Sequence, residues 1–396
     1  MNGHCNDQDE RGWLRRAGGP LAEVAPSDWG DWRWHLRNRF SDIAAVSALL
    51  GFSPERAAAA ARAARVHPFA VTPYYLDLAD PDDPADPILR QCIPEEAEIR
   101  DDSGAAEGLR GGEALDPFRE QALEVAPGLV RRYPDRALLL ITSFCSTFCR
   151  HCMRKRAWSE PPRHGTEGSI DKAIDYIATH AEIRDVLISG GDPLEVAPVR
   201  LEKLLSALRR IAHLDLIRLG TRVPVTLPMR VDAEVEAVLA KNAPLWVNTH
   251  FNHPRELTGA AVQACHRLRR AGALLGNQSV LLRGVNDSTA TLLELSRKLL
   301  RASVRPYYLH HCDPVAGLGH LRVPLEEGRQ LVRSLYGRLS GLGIPRFVVD
   351  IPGGHGKVPP DLHFECGRLP DGYVFEGPIS GQPTLLVDRD PERGRG

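Results

Sequence analysis

Six short apolar runs, each separated from the next by a stretch with helical spacing, constrain this chain more than any other feature. They are Ala137–Thr142, Asp185–Ser189, Leu216–Gly220, Leu245–His250, Leu274–Leu282 and Arg305–His310, with Arg346–Ile351 as a candidate seventh. The first helical stretch reads Ser169–Ile177, with Ser169 as its cap and apolar residues at helical spacing. Strands that alternate with helices form parallel βαβ units. Six repeats fall short of the eight of a closed barrel. The expected fold class is therefore α/β, a partial (β/α)6 barrel of the TIM type, with an N-terminal helical arm and a short C-terminal extension. The expected divisions are residues 1–115, 116–350 and 351–396. Within the arm, Trp29–Leu36 and Pro54–Val66 read as helical, and Asp77–Pro87, alternating Asp with Pro, reads as an extended connector.

Polar residues support that architecture, because chemistry in such barrels gathers on the loops after the strands. The first run leads into Cys145, Cys149 and Cys152, the second into Gly190-Gly191-Asp192, and the third into Thr221-Arg222. The fourth ends in Asn248–His253, the fifth contains Asn277-Gln278-Ser279, and the sixth leads to Asp313. All these groups would share one rim.

The cysteine loop carries the strongest chemical signal. Spacings of four and three put three thiolates on one short segment, enough for three corners of an iron–sulfur cube with the fourth iron left open. Zinc sites favour paired C-x2-C knuckles, and no second knuckle occurs. The pattern resembles that of radical S-adenosylmethionine (SAM) enzymes, in which the cofactor's amino and carboxylate groups take the open iron. In those enzymes a glycine-rich turn such as Ser189–Asp192 meets the same cofactor.

Composition narrows the partners. A net charge of -1 gives no field for nucleic acid or anionic membrane, and no run approaches a membrane span. The chain reads as a soluble cytoplasmic protein acting on a small molecule. Cys5, Cys92, Cys265, Cys312 and Cys366 share no site-like spacing and read as small packing residues.

The scarce lysines, Lys155, Lys172, Lys203, Lys241, Lys298 and Lys357, make the loop Pro352-Gly353-Gly354-His355-Gly356-Lys357 conspicuous. It is not a phosphate-binding P-loop, since Val358-Pro359-Pro360 follows where Ser or Thr should open a helix. A turn with an exposed lysine and a Schiff-base lysine are both compatible with it.

With these motifs in order, the chain resembles the lysine 2,3-aminomutase family from about residue 27 to 385. The likeness runs through Trp29–Arg39, Thr72–Tyr75, Arg132–Arg136, the cysteine loop, Ser189–Asp192, Thr249–Pro254, Gly276–Asp287 and Phe347–Lys357. It implies a radical SAM barrel holding a [4Fe-4S] cluster and S-adenosylmethionine, with pyridoxal 5'-phosphate (PLP) on Lys357 as a Schiff base. Arg132, Tyr133 and Arg136 would lie near the pyridoxal. Ser189, Gly190, Gly191, Asp192, His250, Gln278 and Ser279 would lie near S-adenosylmethionine. The implied reaction moves an amino group from the α to the β carbon of an amino acid, with flavodoxin or ferredoxin as electron donor.

The resemblance also implies a substrate. Arg154 would clamp the α-carboxylate, while Asp313 and Asp350 would receive a distal ammonium. Lysine is the expected substrate and arginine the alternative; glutamate would bury three carboxylates together. A radical SAM enzyme without PLP and a non-catalytic iron–sulfur module remain the competing classes. The chain departs from the family at Ser288, which replaces a cysteine, and has no cysteine after Cys366, so no structural zinc is expected and the homo-oligomer is a dimer or tetramer. His355 also replaces a loop glycine.

Overall fold

The computed structural model describes residues 12–16, 18–100, 115–159, 165–369, 372–376 and 383–387. Ten strands form one sheet in which chain order is spatial order. They are β1 (Glu124–Ala126), β2 (Leu129–Val130), β3 (Arg136–Leu140), β4 (Asp185–Ser189), β5 (Leu216–Gly220), β6 (Leu245–Thr249), β7 (Ala273–Leu281), β8 (Arg305–His311), β9 (Arg346–Ile351) and β10 (Gly356–Val358). Strands β3 to β9 pair in parallel, and the antiparallel pieces β1–β2 and β10 flank them. The candidate seventh run thus joins the partial barrel, with Tyr308–His310 of β8 registered on Arg346–Val348. A separate antiparallel sheet holds β11 (Glu365–Leu369), β12 (Gly372–Glu376) and β13 (Pro383–Val387).

Alternate strand residues such as Val186, Ile188, Ile217, Leu219 and Val247 are buried, and they join one core with the inner faces of the crossover helices. The helix Glu167–Thr179 starts two residues before the expected Ser169. Thr166 is its cap, because its side chain accepts the Ser169 N–H at 3.2 Å while the Ser169 hydroxyl turns back onto the Thr166 carbonyl. Pro54–Val66 is helical and capped by Ser53, whereas the Trp29–Leu36 stretch breaks at Gly30 into helices Pro26–Trp29 and Trp32–Arg37. Cys92, Cys265 and Cys312 are buried; Cys366 is exposed on β11, and Cys5 lies outside the described residues. Among the described residues no helix is long and apolar enough to cross a membrane.

The N-terminal segments share the barrel's core, since Leu14, Val46, Val71, Tyr75 and Ile88 belong to it. The Asp-Pro connector is irregular, as its prolines require, but it is tied down. Asp77 accepts the Leu14 N–H at 2.7 Å, and Asp86 accepts those of Ile88 and Leu89 and pairs with Arg255 at 2.6 Å.

A buried ion triad ties this region to the cysteine loop. Glu98 receives Arg150 at 2.6 Å and Lys155 at 2.7 Å, all three nearly without solvent contact. Burial works against the Glu98 anion, but the two cations outweigh it and hold its carboxyl at about 2. Removing one partner from such a cluster strands the others, so Glu98→Ala should cost about 3–5 kcal/mol. The check is a lowered urea midpoint at constant slope; a loss under about 1 kcal/mol would mean that water reaches the two cations.

Candidate active site

Parallel pairing brings the ends of β3 to β9 to one edge, so the groups that follow these strands converge. The cysteine loop after β3 is held from two sides. The N-terminal arm holds it through Arg39 to the Cys145 carbonyl at 2.9 Å, Phe148 N–H to Ala70 at 2.8 Å, and Arg150 N–H to Gln91 at 2.9 Å. The turn after β4 holds it from the other side, with Gly191 N–H donating to Thr142 at 2.6 Å and Asp192 N–H to Phe144 at 2.9 Å. This contact explains the glycines: a Cβ on Gly190 would stand 2.2 Å from the Thr142 oxygen, and one on Gly191 2.0 Å from that of Phe144. Their bareness serves contact with the cysteine loop's own backbone.

Asp192 turns inward. Its carboxylate accepts from the Thr221 hydroxyl at 2.6 Å and from the N–H groups of Leu194, Arg222 and Val223, locking the turn after β4 to the turn after β5. Burial raises its carboxyl despite these bonds. Next to it, burial and then the Asp192 charge push Glu195 up to about 8, while Glu195 accepts both N–H and O–H of Ser146 in the cysteine loop. Ser189 is half-buried at the end of β4.

The three thiols lie in one another's field. Burial and then neighbouring acids and sulfurs push Cys145 far up, and burial with Cys149 pushes Cys152 up to about 11. Bare thiolates at Cys145 and Cys152 would be expensive here, and bound iron relieves that cost. Donors already point at two sulfurs: Arg222 Nη1 lies 2.7 Å from Cys149 Sγ, and the Arg154 N–H 3.4 Å from Cys152 Sγ. Among the described residues no trio of His, Cys, Asp or Glu groups as ligands of one metal ion. One thiolate per iron on a single loop suits a cluster, whose ligands stand at separate corners.

His250, at the end of β6, faces His151 of the cysteine loop at 3.1 Å, and the Asn252 amide lies 3.2 Å from both rings. Burial, then the nearby Arg222, keeps both imidazoles neutral. In β7, Gln278 is half-buried, whereas Ser279 uses its hydroxyl internally, donating to the Phe251 carbonyl at 2.7 Å and accepting from Asn277 at 2.8 Å. Ser279 therefore braces the loop after β6.

Lys357 sits on β10, which folds back antiparallel on β9 and registers Lys357 against Asp350. Its Nζ is 2.5 Å from Asp350 Oδ2, and its backbone N–H donates to the Tyr133 hydroxyl at 2.8 Å. Arg132 takes the other Asp350 oxygen at 2.9 Å, and His310 lies 3.6 Å away. Burial opposes the Asp350 anion, but His310 and Lys357 hold it well below the usual carboxylate range. The guanidinium of Arg136 stacks 4.0 Å over the Tyr133 ring. Gly353, Gly354 and Gly356 all have positive φ, and a Cβ at Gly354 would meet the Phe118 carbonyl at 3.0 Å. His355 is exposed.

Asp313, after β8, stands beside this cluster, and its carboxylate forms no hydrogen bond or ion pair among the described residues. Burial first, then Asp350, pushes it up to about 7, against the opposing pull of Lys357 and Arg132. Arg154 is less free than the sequence suggests. Glu120 grips it at 2.9 and 2.7 Å, leaving Nη1 outside that fork. Glu120 and His310 escaped the sequence reading as site residues, and Arg222 was placed on the rim without a role. Arg222 alone had a signal, its place directly after a strand.

Residues 139–295 match the Radical SAM superfamily. A putative L-lysine 2,3-aminomutase of Aquifex aeolicus is 48% identical over 349 residues, covering 88% of this chain and 92% of that one. The L-lysine 2,3-aminomutase of Clostridium subterminale is 44% identical over 361 residues, covering 90% and 85%. This chain belongs to the lysine 2,3-aminomutase family. It is thus an isomerase, and its radical SAM membership implies a [4Fe-4S] cluster and S-adenosylmethionine. The family's neighbourhood is not confined to lysine: a glutamate 2,3-aminomutase of Clostridioides difficile is 38% identical over 332 residues, covering 84% and 76%.

Proposed function

We propose that this protein is a 2,3-aminomutase that converts L-lysine to β-lysine, with hydrogen removed at the β carbon and the α-amino group migrating there. The observation that carries the choice of substrate is Asp313, an acid without a cation of its own beside a second acid, Asp350. A distal ammonium supplies the missing charge. A γ-carboxylate would add a third anion at a cost of several kcal/mol. Arginine meets the same acids, and an anaerobic assay offering lysine, arginine and glutamate, read by product mass and chromatography, separates the three. Lysine should be the preferred substrate; conversion of glutamate alone would overturn the reading.

The donor set at Lys357 fits PLP: a primary amine, a carboxylate 2.5 Å away that holds it in place, and the guanidinium of Arg132 beside them. When bound, PLP and S-adenosylmethionine supply electron delocalisation and a hydrogen-abstracting radical. Asp350, kept anionic by His310 and Lys357 and also paired with Arg132, holds the Lys357 amine in position. Tyr133 fixes the lysine backbone, and Arg136 fixes the Tyr133 ring. Arg154, oriented by Glu120, presents its remaining N–H groups to the substrate α-carboxylate. Cys145, Cys149 and Cys152 hold the cluster, and His250 and Gln278 line the S-adenosylmethionine side. The electron comes from a small low-potential carrier such as flavodoxin or ferredoxin, and the enzyme works as a homo-oligomer. Its free cysteines suit the reducing cytoplasm.

Binding a cation requires ionised Asp313, so kcat/KM for lysine should fall as pH drops through about 7. Stability should move the other way. The folded Asp313 binds its proton more tightly than the unfolded chain, so protonation below about 7 adds to stability. Loss of the acidic limb in Asp313→Asn would assign it; an unchanged limb would move the assignment elsewhere.

A further inference from the structure

Arg222 is a buried cation hydrogen-bonded to the cysteine loop, and no step above uses it. It lies immediately after β5, 8% exposed, where its backbone N–H is capped by Asp192 at 2.6 Å. Its Nη1 donates to Cys149 Sγ at 2.7 Å. Its Nη2 meets the Tyr75 hydroxyl at 2.9 Å, Gln91 Oε1 at 2.7 Å and Glu256 Oε1 at 2.9 Å. These three partners are themselves fully buried. The second Glu256 oxygen is occupied by the N–H groups of Asn252 and His253, so the carboxylate cannot swing away. The guanidinium is therefore a fixed dipolar wedge, with its positive edge on a cluster cysteine and its counter-charge on the opposite edge.

We propose that Arg222 is a positioning residue that sets the reduction potential of the iron–sulfur cluster through Cys149. The step is a one-electron reduction: a low-potential reductant gives one electron, the cluster passes from the 2+ to the 1+ state, and no proton moves or bond breaks. The added negative charge is felt by the nearest fixed charge, strongly in a buried site where water does not screen it. A guanidinium on a ligand sulfur stabilises the reduced state and raises the potential. Among the described residues Cys149 is the cluster cysteine whose sulfur takes a hydrogen bond from a charged side chain; Cys152 receives a backbone N–H. Tyr75 and Gln91 belong to the N-terminal arm, so the arm fixes the electrostatics of the cluster as well as the shape of its loop.

The inference rests on the cluster at Cys145, Cys149 and Cys152, and the experiment separates the two. Wild-type enzyme, Arg222→Gln, Arg222→Lys and Glu256→Gln are reconstituted anaerobically and assayed for iron and sulfide. They are then titrated with dithionite under EPR detection, with and without S-adenosylmethionine. Absence of a cluster in the wild type would sink the cluster reading itself. With the cluster present, Arg222→Gln should lower the one-electron reduction equilibrium at least about tenfold, a fall of about 59 mV in midpoint. Arg222→Lys, which keeps the charge, should recover most of it. Glu256→Gln removes the counter-charge and should move the midpoint upward. A purely structural role predicts no such opposition of sign. A wild-type midpoint in Arg222→Gln, or a downward shift in Glu256→Gln, would overturn the proposal. If Arg222→Gln fails to hold iron, the signs of the other two variants decide.

Discussion

Lys357→Arg should leave a folded protein with its cluster intact but lower turnover by roughly 10³-fold or more, the scale on which enzymes lose a reacting nucleophile. Arginine preserves the positive charge beside Asp350, and with it the 2.5 Å pairing that holds β10 on β9. It does not preserve a primary amine able to condense with an aldehyde. The variant therefore separates electrostatics from covalent chemistry. The accompanying readout is the visible absorbance of the PLP-loaded enzyme, a band that borohydride abolishes by fixing the cofactor to the chain. Wild type should show it, and Lys357→Arg should not. A variant that keeps near-normal turnover, or still becomes labelled at the same site, would remove Lys357 from the chemistry and favour a radical SAM enzyme without PLP.

Asp313→Asn should raise the Michaelis constant for lysine about thirtyfold, with a smaller effect on kcat. A charge-assisted hydrogen bond contributes about 2 kcal/mol, and at about 1.4 kcal/mol per decade that corresponds to this factor. Asparagine keeps the size of the side chain and removes only its charge. Asp313 is the cleaner target of the two acids because it serves no other group. Asp350 also holds Lys357, Arg132 and His310, so its substitution will disturb kcat and KM together. Asp313→Asn should also reduce discrimination against glutamate, since one of the anions repelling it is gone. Unchanged kinetics for lysine would show that the distal ammonium binds elsewhere.

The barrel strands were legible because each run is apolar, short and bounded by a helix, and local pattern is what sets a buried parallel strand. Asp185–Ser189, Leu216–Gly220 and Arg346–Ile351 kept their expected bounds, and the other boundaries moved by one or two residues, as with Arg136–Leu140 against the expected Ala137–Thr142. The cysteine loop and Lys357 were legible because their chemistry is concentrated in contiguous motifs. What stayed hidden was made by distant pairing. Arg222 meets Gln91 and Tyr75 across 131 and 147 residues, and Glu120 reaches Arg154 from an irregular segment with no periodicity of its own. Spacing alone also could not show that the glycines after β4 have the backbone oxygens of Thr142 and Phe144 as close neighbours. A glycine that admits a ligand and one that admits another loop look the same in sequence.

The central claim is that the three-cysteine cluster and Lys357 serve one reaction on one lysine molecule. Its most direct test gives the anaerobic, fully loaded enzyme L-lysine deuterated at the β carbon. The account predicts β-lysine as product, with deuterium also recovered in S-adenosylmethionine. β-Lysine formed with no label in S-adenosylmethionine, or label exchanged with no movement of the amino group, would contradict it.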